Sequence, residues 1–222
     1  MSNDIHNARS VFLVGLGRFG IAVARTLMEL DVEVMAVDVD ADLVNEWSDK
    51  LTHVRVADAT SSTTLKQLGA HNFDAAVVAI GTGIEASILS TAALADLEGP
   101  TIWAKAITEE HGRILERIGA NHVVYPERQM GQRVAHVVSG QVIDYYELDD
   151  GFVLAELEVP RTLVGQSLAD SGIRNEYGVT VVCVKPNGGR FTYAEYDTVL
   201  GLGDLMLVAG DVDACERFAG LA

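Results

Sequence analysis

The chain is short of cysteine and of positive charge, and it has no long apolar run. Its two cysteines among 222 residues, Cys183 and Cys215, lie 32 positions apart without a CxxC. Both sit among apolar neighbours, which reads as two reduced, buried thiols rather than a disulfide or a metal site. Lysine and arginine total 16 against 32 aspartates and glutamates, a net charge of −16. A surface that acidic repels phosphate backbones and anionic lipid at long range, so no nucleic-acid partner is expected. A small anion can still be held locally by backbone N–H groups. No apolar stretch approaches the roughly 20 residues of a membrane span. The opening MSNDIHNARS has no apolar segment of the kind found in secretory signals. The expectation is a soluble, cytoplasmic protein.

Hydrophobic residues make up 49%, enough for a real core. At roughly 150 residues per domain, the length suggests one full domain and a smaller one. From Ser10 to about Tyr125, short apolar runs alternate with helical patterns. The runs are 10–15, 33–38, 53–57, 74–80, 101–106 and 122–125; the helical stretches between them are 19–30, 41–50, 61–68, 84–97 and 109–118. Strands rich in Val, Ile and Ala without in/out alternation are buried on both faces, which specifies a parallel sheet covered by helices. Six such repeats predict a Rossmann-like, doubly wound α/β domain. Gly69 and Gly119 mark helix ends, and Ser61 and Thr108 sit where N-caps belong. A further helix is expected over 127–143, with Met130, Val134, Val137, Val138 and Val142 largely on one stripe that has no further strand to cover. Beyond it, strand-like runs at 152–159, 179–184 and 205–209 surround an Asn187-Gly188 hairpin turn, and a terminal helix covers 211–219. The expected division is residues 1–143 and a small α+β domain at 144–222.

The first apolar run leads into Gly15-Leu16-Gly17-Arg18-Phe19-Gly20, a G-x-G-x-x-G that follows a strand and opens a helix. In this pattern the first glycine permits the tight turn, the second admits a pyrophosphate, and the third allows close helix–strand packing. The helix N-terminus adds orphan N–H groups and partial positive charge. Asp38, 18 residues after Gly20, is placed to accept from ribose hydroxyls and would repel a 2′-phosphate. Arg18 inside the loop offers a fork for phosphate oxygens, pointing to ATP or ADP, with a solvated surface arginine as the alternative. NAD stays open as the other ligand.

No catalytic residue stands beside this motif. The six histidines form no HxxxH or HxxEH, and the chain has no G-x-S-x-G and no Walker A loop. A binding module is expected rather than an enzyme. The rival is an NAD(H)-dependent oxidoreductase or redox sensor on the same fold.

VGLGRFG at 14–20, Asp38, VADAT at 56–60, AKA at 104–106 and VVYPE at 123–127 together resemble the RCK-domain family, of the KtrA/TrkA type. The resemblance covers residues 10–220 and implies an RCK N-lobe followed by an RCK C-lobe. It implies a cytosolic, ligand-sensing regulatory subunit of a potassium transporter or channel, held at the inner face of the membrane by a KtrB/TrkH-like partner. It also implies a homodimer assembling into an octameric ring, with the helix over 127–143 crossing to a second subunit; packing of that stripe on its own C-lobe is the alternative. By resemblance, Gly15, Gly17 and Gly20 hold phosphates and Asp38 the ribose. Asp58 and Thr60 lie beside the adenosine, Ile80 and Gly81 line the crevice, and Phe19, Val39, Asp40 and Ala59 complete it. Arg18 would reach a neighbour's terminal phosphate, Lys105 would join the same site, and Glu127 would help hold Mg²⁺, Ca²⁺ or Na⁺ there. The plainer readings are a helix-capping Asp58, a structural Lys105, and a Glu127 that complements the helix dipole. In some relatives the C-lobe binds cyclic di-AMP through an arginine and an Asn–aliphatic pair. Here Arg174 precedes Thr180-Val181, so Thr replaces Asn, and a surface cation is the alternative for Arg174.

Overall fold

The computed structural model describes residues 8–140, 142–148 and 151–221. Contacts cluster into two units, residues 1–127 and 128–222. The first unit alternates strand and helix: β1 (Ser10–Val14), α1 (Arg18–Glu29), β2 (Glu33–Asp38), α2 (Ala41–Trp47), β3 (His53–Val56), α3 (Ser62–Gln67), β4 (Ala75–Val78), α4 (Ile84–Ala95), β5 (Thr101–Lys105), α5 (Glu109–Arg117) and β6 (His122–Val124). All pairings are parallel, in the order β3-β2-β1-β4-β5-β6. Direction reverses between β1 and β4, the place where open α/β sheets bind ligands beyond the strand ends.

Adjacent residues of β1 show why the strands carry no polar face. Phe12 and Leu13 are both fully buried but belong to different apolar clusters. Phe12 packs with Leu65, Leu94, Ile102 and Leu115; Leu13 packs with Leu16, Ala24, Val34 and Val44. Helices therefore cover both faces, as a continuous apolar run requires. The expected caps are in place: the Ser61 hydroxyl accepts from Thr64 N–H and the Thr108 hydroxyl from His111 N–H.

The helix that follows, α6 (Pro126–Val138), is shorter than the expected 127–143. Ser139 and Gly140 close it, with Gly140 at φ +78°, a conformation glycine adopts without the strain other residues incur. Ile143 N–H donates to Glu156 O and so belongs to sheet pairing. Residue 141 of the expected helix, residues 149–150, and residues 1–7 and 222 of the expected domains lie outside the described residues.

The second unit is antiparallel. It contains β7 (Asp144–Glu147), β8 (Phe152–Glu158), the short helices α7 (Leu168–Ser171) and α8 (Ile173–Tyr177), β9 (Thr180–Lys185), β10 (Thr192–Tyr193), β11 (Leu205–Asp211) and α9 (Val212–Ala219). Its strand order is β10-β9-β11-β8-β7. β8 and β11 alternate, with Val153, Ala155, Leu157, Met206 and Val208 buried with Phe218 of α9 in one cluster. The Asn187-Gly188 turn does join β9 to β10. Asp204 pins it, accepting from Asn187 N–H and Gly201 N–H at 2.9 Å each.

Phe12 is fully buried with its ring edge-on to Phe73 at 5.5 Å. Phe12→Ala should cost about 3–5 kcal/mol through lost burial and the cavity left behind. Urea unfolding checks this, and a loss below about 1 kcal/mol would contradict this placement of the core.

Candidate functional site

The glycine loop is built by contacts too close for side chains. Gly15 holds φ +100° and donates its N–H to Val37 O at 2.8 Å. A Cβ on Gly20 would lie 1.9 Å from the Gly15 carbonyl oxygen and 3.2 Å from Ala79 Cβ. Gly20 thus lets α1 start directly against the β1 turn and the end of β4. Gly17 differs: it is exposed, and a Cβ there would meet nothing within 4 Å. Its side faces open space at the N-terminus of α1, where a phosphate could approach the backbone.

Asp38, at the end of β2, tethers this loop. Its Oδ2 accepts from Leu16 N–H at 2.6 Å and its Oδ1 from Asp40 N–H at 2.9 Å. Each carboxylate oxygen keeps a further acceptor direction, so the tether and a ribose contact are compatible. Leu16, absent from the expected site, is the residue whose N–H sets the loop against Asp38. No sequence signal marks it, because the bond uses the backbone.

Asp40 acts as the N-cap of α2, accepting from Asp42 N–H at 2.9 Å and Leu43 N–H at 3.3 Å. Val39 between the two acids is exposed. The Asp58–Thr60 segment is fixed to the same strand ends by Ala57 N–H, which donates to Asp38 O at 2.9 Å. Asp58 Oδ1 accepts from both the Thr60 hydroxyl (2.7 Å) and Thr60 N–H (2.9 Å), which hold its carboxyl below the usual range. Asp58 therefore closes a turn, and Ser61 caps the helix. Ala59 is buried between them in sequence.

On the other side of the crevice, Ile80 and Gly81 follow β4. A Cβ on Gly15 would meet Ile80 N at 3.4 Å, and one on Gly81 would meet Lys105 Nζ at 3.2 Å. Lys105, at the end of β5, is buried at 6% exposure, and its ammonium lies 5.6 Å from the Phe19 ring centroid. Lys105 Nζ donates to Glu127 Oε1 at 2.5 Å. That bond, with smaller help from the charge of Arg18, holds the Glu127 carboxyl below its usual range. Arg18 itself is exposed and makes no hydrogen bond or ion pair among the described residues. Gly15, Phe19, Gly20, Ile80, Gly81, Lys105 and Glu127 are thus brought together, with Arg18 at the rim.

The cation expected at Glu127 would need ligands from a bound phosphate as well, since hard cations take about six or more oxygens. The Glu127 carboxylate already faces an ammonium, and no group of three His, Cys, Asp or Glu among the described residues could hold a metal.

Arg174 lies in the second unit, in a cleft of about 420 Å³ lined also by Leu168, Asn175, Thr180, Val181 and Tyr196. Asn175 lies outside the expected site; it carries the amide that Thr180 lacks, and only folding shows that it shares the cleft.

Residues 11–126 match the TrkA-N domain and residues 153–221 the TrkA-C domain. The chain is 41% identical to Ktr system potassium uptake protein C of Bacillus subtilis (strain 168), over 93% of this chain and 94% of that one. It is 35% identical to Ktr system potassium uptake protein A of the same organism, over 93% of each. The GsuK RCK domain shares the fold at a TM-score of 0.66 and 19% identity, over all of this chain, which spans 48% of that one. GsuK bound to ADP matches 60% of this chain and 34% of its own at 26% identity, with a TM-score of 0.52. The chain belongs to the RCK-domain family, of the KtrA/TrkA type. No helix among the described residues is long and apolar enough to cross a membrane.

The two loop glycines should separate cleanly. Gly20→Ala forces a methyl into the Gly15 carbonyl and should lower the melting temperature by many degrees, whereas Gly17→Ala should change stability by no more than about 1 kcal/mol. Equal melting temperatures for the two variants would contradict the loop geometry. The Lys105–Glu127 pair has a definite pH signature. Because Glu127 is depressed in the folded state, its contribution is present above its ordinary value of 4.5 and is lost as pH falls through the lower folded value. Thermal melts of Glu127→Gln should show a shallower acid limb than the parent below that pH; superimposable limbs would contradict the pairing.

Proposed function

We propose that this chain is a cytosolic regulatory subunit of a potassium-uptake system, in which an adenine nucleotide in the first-unit crevice controls a separate membrane-embedded partner. The observation that carries this reading is the pair of cations around an unobstructed glycine loop. Gly17 leaves space at the N-terminus of α1, Lys105 presents a buried ammonium that Glu127 shares, and Arg18 stands at the rim with no hydrogen bond among the described residues. Phosphate charge has a place to go, and the tethered Asp38 closes the ribose end against a 2′-phosphate. The relatives named as potassium uptake proteins supply the system, and the ADP-bound relative supports the ligand class.

Regulation then works as a population shift. A terminal phosphate makes contacts that a diphosphate lacks, and those contacts favour one arrangement of subunits. Moving a gate from 1:99 to 99:1 takes about 5.5 kcal/mol of differential binding. Charge-assisted hydrogen bonds of about 1.5–3 kcal/mol each, repeated over several sites, supply that. We place Arg18 at a second copy's terminal phosphate, within a homodimer that builds an octameric ring; its exposure supports that placement. The chain acts as a binding module in this reading, not as a catalyst. For the second unit, Arg174, Asn175 and Thr180 in one cleft support a further ligand of the cyclic di-AMP class.

NAD(H) sensing uses the same Asp38 and the same loop, and it is the rival. Two cations at the phosphate end favour a ligand with more phosphate charge than a dinucleotide carries. Arg18→Ala should therefore reduce ATP affinity by about tenfold or more and ADP affinity by much less, the equivalent of one charge-assisted contact. Calorimetric titration checks this; equal losses for ATP and ADP would refute the cross-subunit role.

A further inference from the structure

Helix α6 has no buried residue, and Met130, Val134, Val137 and Val138 are all exposed. A directional grip holds it to the antiparallel sheet. Arg133 Nε donates to Asp144 Oδ1 and Nη2 to Asp144 Oδ2, both at 2.6 Å. Nη2 also donates to the Tyr146 hydroxyl at 2.7 Å, and the guanidinium lies 4.3 Å from the Tyr146 ring centroid. Asp144 Oδ1 accepts in addition from Tyr145 N–H at 2.8 Å, so the carboxylate is itself fixed in position. One turn on, the His136 ring stacks on Tyr145 at 3.8 Å, a contact with far less directional constraint. β7 is an edge strand paired only with β8 among the described strands, so these contacts reach the sheet at its border.

The chemistry of the grip matters. Apolar contacts let a helix slide, whereas a planar fork on a carboxylate fixes distance and angle together. The same helix carries Glu127, the partner of Lys105 at the crevice. If a bound phosphate takes over Lys105, Glu127 loses that contact at the first turn of α6 while Arg133 keeps its own.

We propose that Arg133 is a positioning residue: its fork on Asp144, backed by Tyr146, makes β7 follow α6, so that occupancy of the crevice is passed into the second unit. This rests on the nucleotide reading above. Amide exchange by mass spectrometry on the full chain, with and without saturating ATP, tests it alongside calorimetric ATP affinity. In the parent chain ATP should change exchange in β7 and β8. In Arg133→Ala the affinity should stay within about twofold, while that change shrinks by about fivefold or more. Arg133→Lys should not restore it, because an ammonium cannot fork. The swap Arg133→Asp with Asp144→Arg should recover about half or more, a rescue that no loss of folding could mimic. Should Arg133→Ala prove unfolded by its melt, the swapped pair carries the test alone. A full exchange response in a folded Arg133→Ala, a failed swap, or a large loss of ATP affinity in Arg133→Ala overturns the proposal. A parent chain that binds ATP without any change in β7 and β8 overturns it too. A parent that does not bind ATP overturns the nucleotide reading, and this one with it.

Discussion

An ammonium held almost out of water needs an anion beside it, and that requirement organises the crevice. A charge buried without a partner costs far more than one that is paired and hydrogen-bonded. Lys105 is 6% exposed and finds its anion in Glu127, the second residue of α6. The end of β5 is thereby tied to the start of the helix that leaves the first unit. A Cβ on Gly81 would lie 3.2 Å from that ammonium, and Phe19 offers it a ring face. A nucleotide phosphate is the other anion that could satisfy the same lysine. The proposed site is thus a place where two anions compete for one buried cation.

In the proposed reading the glycine loop is ordered before any ligand arrives. Asp38 holds the loop through Leu16 N–H, so the backbone donors at the start of α1 need not be ordered when a ligand arrives. Preorganised donors bind more tightly because the ordering cost is already met in folding. The close approach of Gly20 to Gly15 brings α1 to the loop, and Gly17 leaves the approach open. The packing demand falls on Gly20 and the open approach on Gly17 of one short motif.

Much of this is legible in the residues. Continuous apolar runs specify a doubly covered parallel sheet, and Ser61, Thr108 and the Asn187-Gly188 turn mark their local geometry correctly. The glycine spacing with Asp38 locates the crevice. What escapes a reading of the residues has physical causes. Backbone donors such as Leu16 carry no side-chain signature. The capping of α2 by Asp40 is also hidden, since a capping aspartate and a binding aspartate look alike in sequence. The end of α6 is overrun because Val142 and Ile143 continue the apolar stripe, and the stop lies in Gly140 and in strand pairing. The ammonium partner of Glu127 lies 22 positions earlier, a tertiary pairing that periodicity does not encode. The short helices α7 and α8 and the two-residue β10 are too brief to leave a periodic pattern.

The most direct measurement is calorimetric titration of ATP, ADP and NADH into the parent chain under identical buffer conditions. A crevice built around a buried ammonium and an open glycine loop, with an arginine at its rim, should bind ATP most tightly, ADP less so and NADH weakest. NADH binding tighter than both, or no heat from any of the three, would contradict a site organised for terminal phosphate charge.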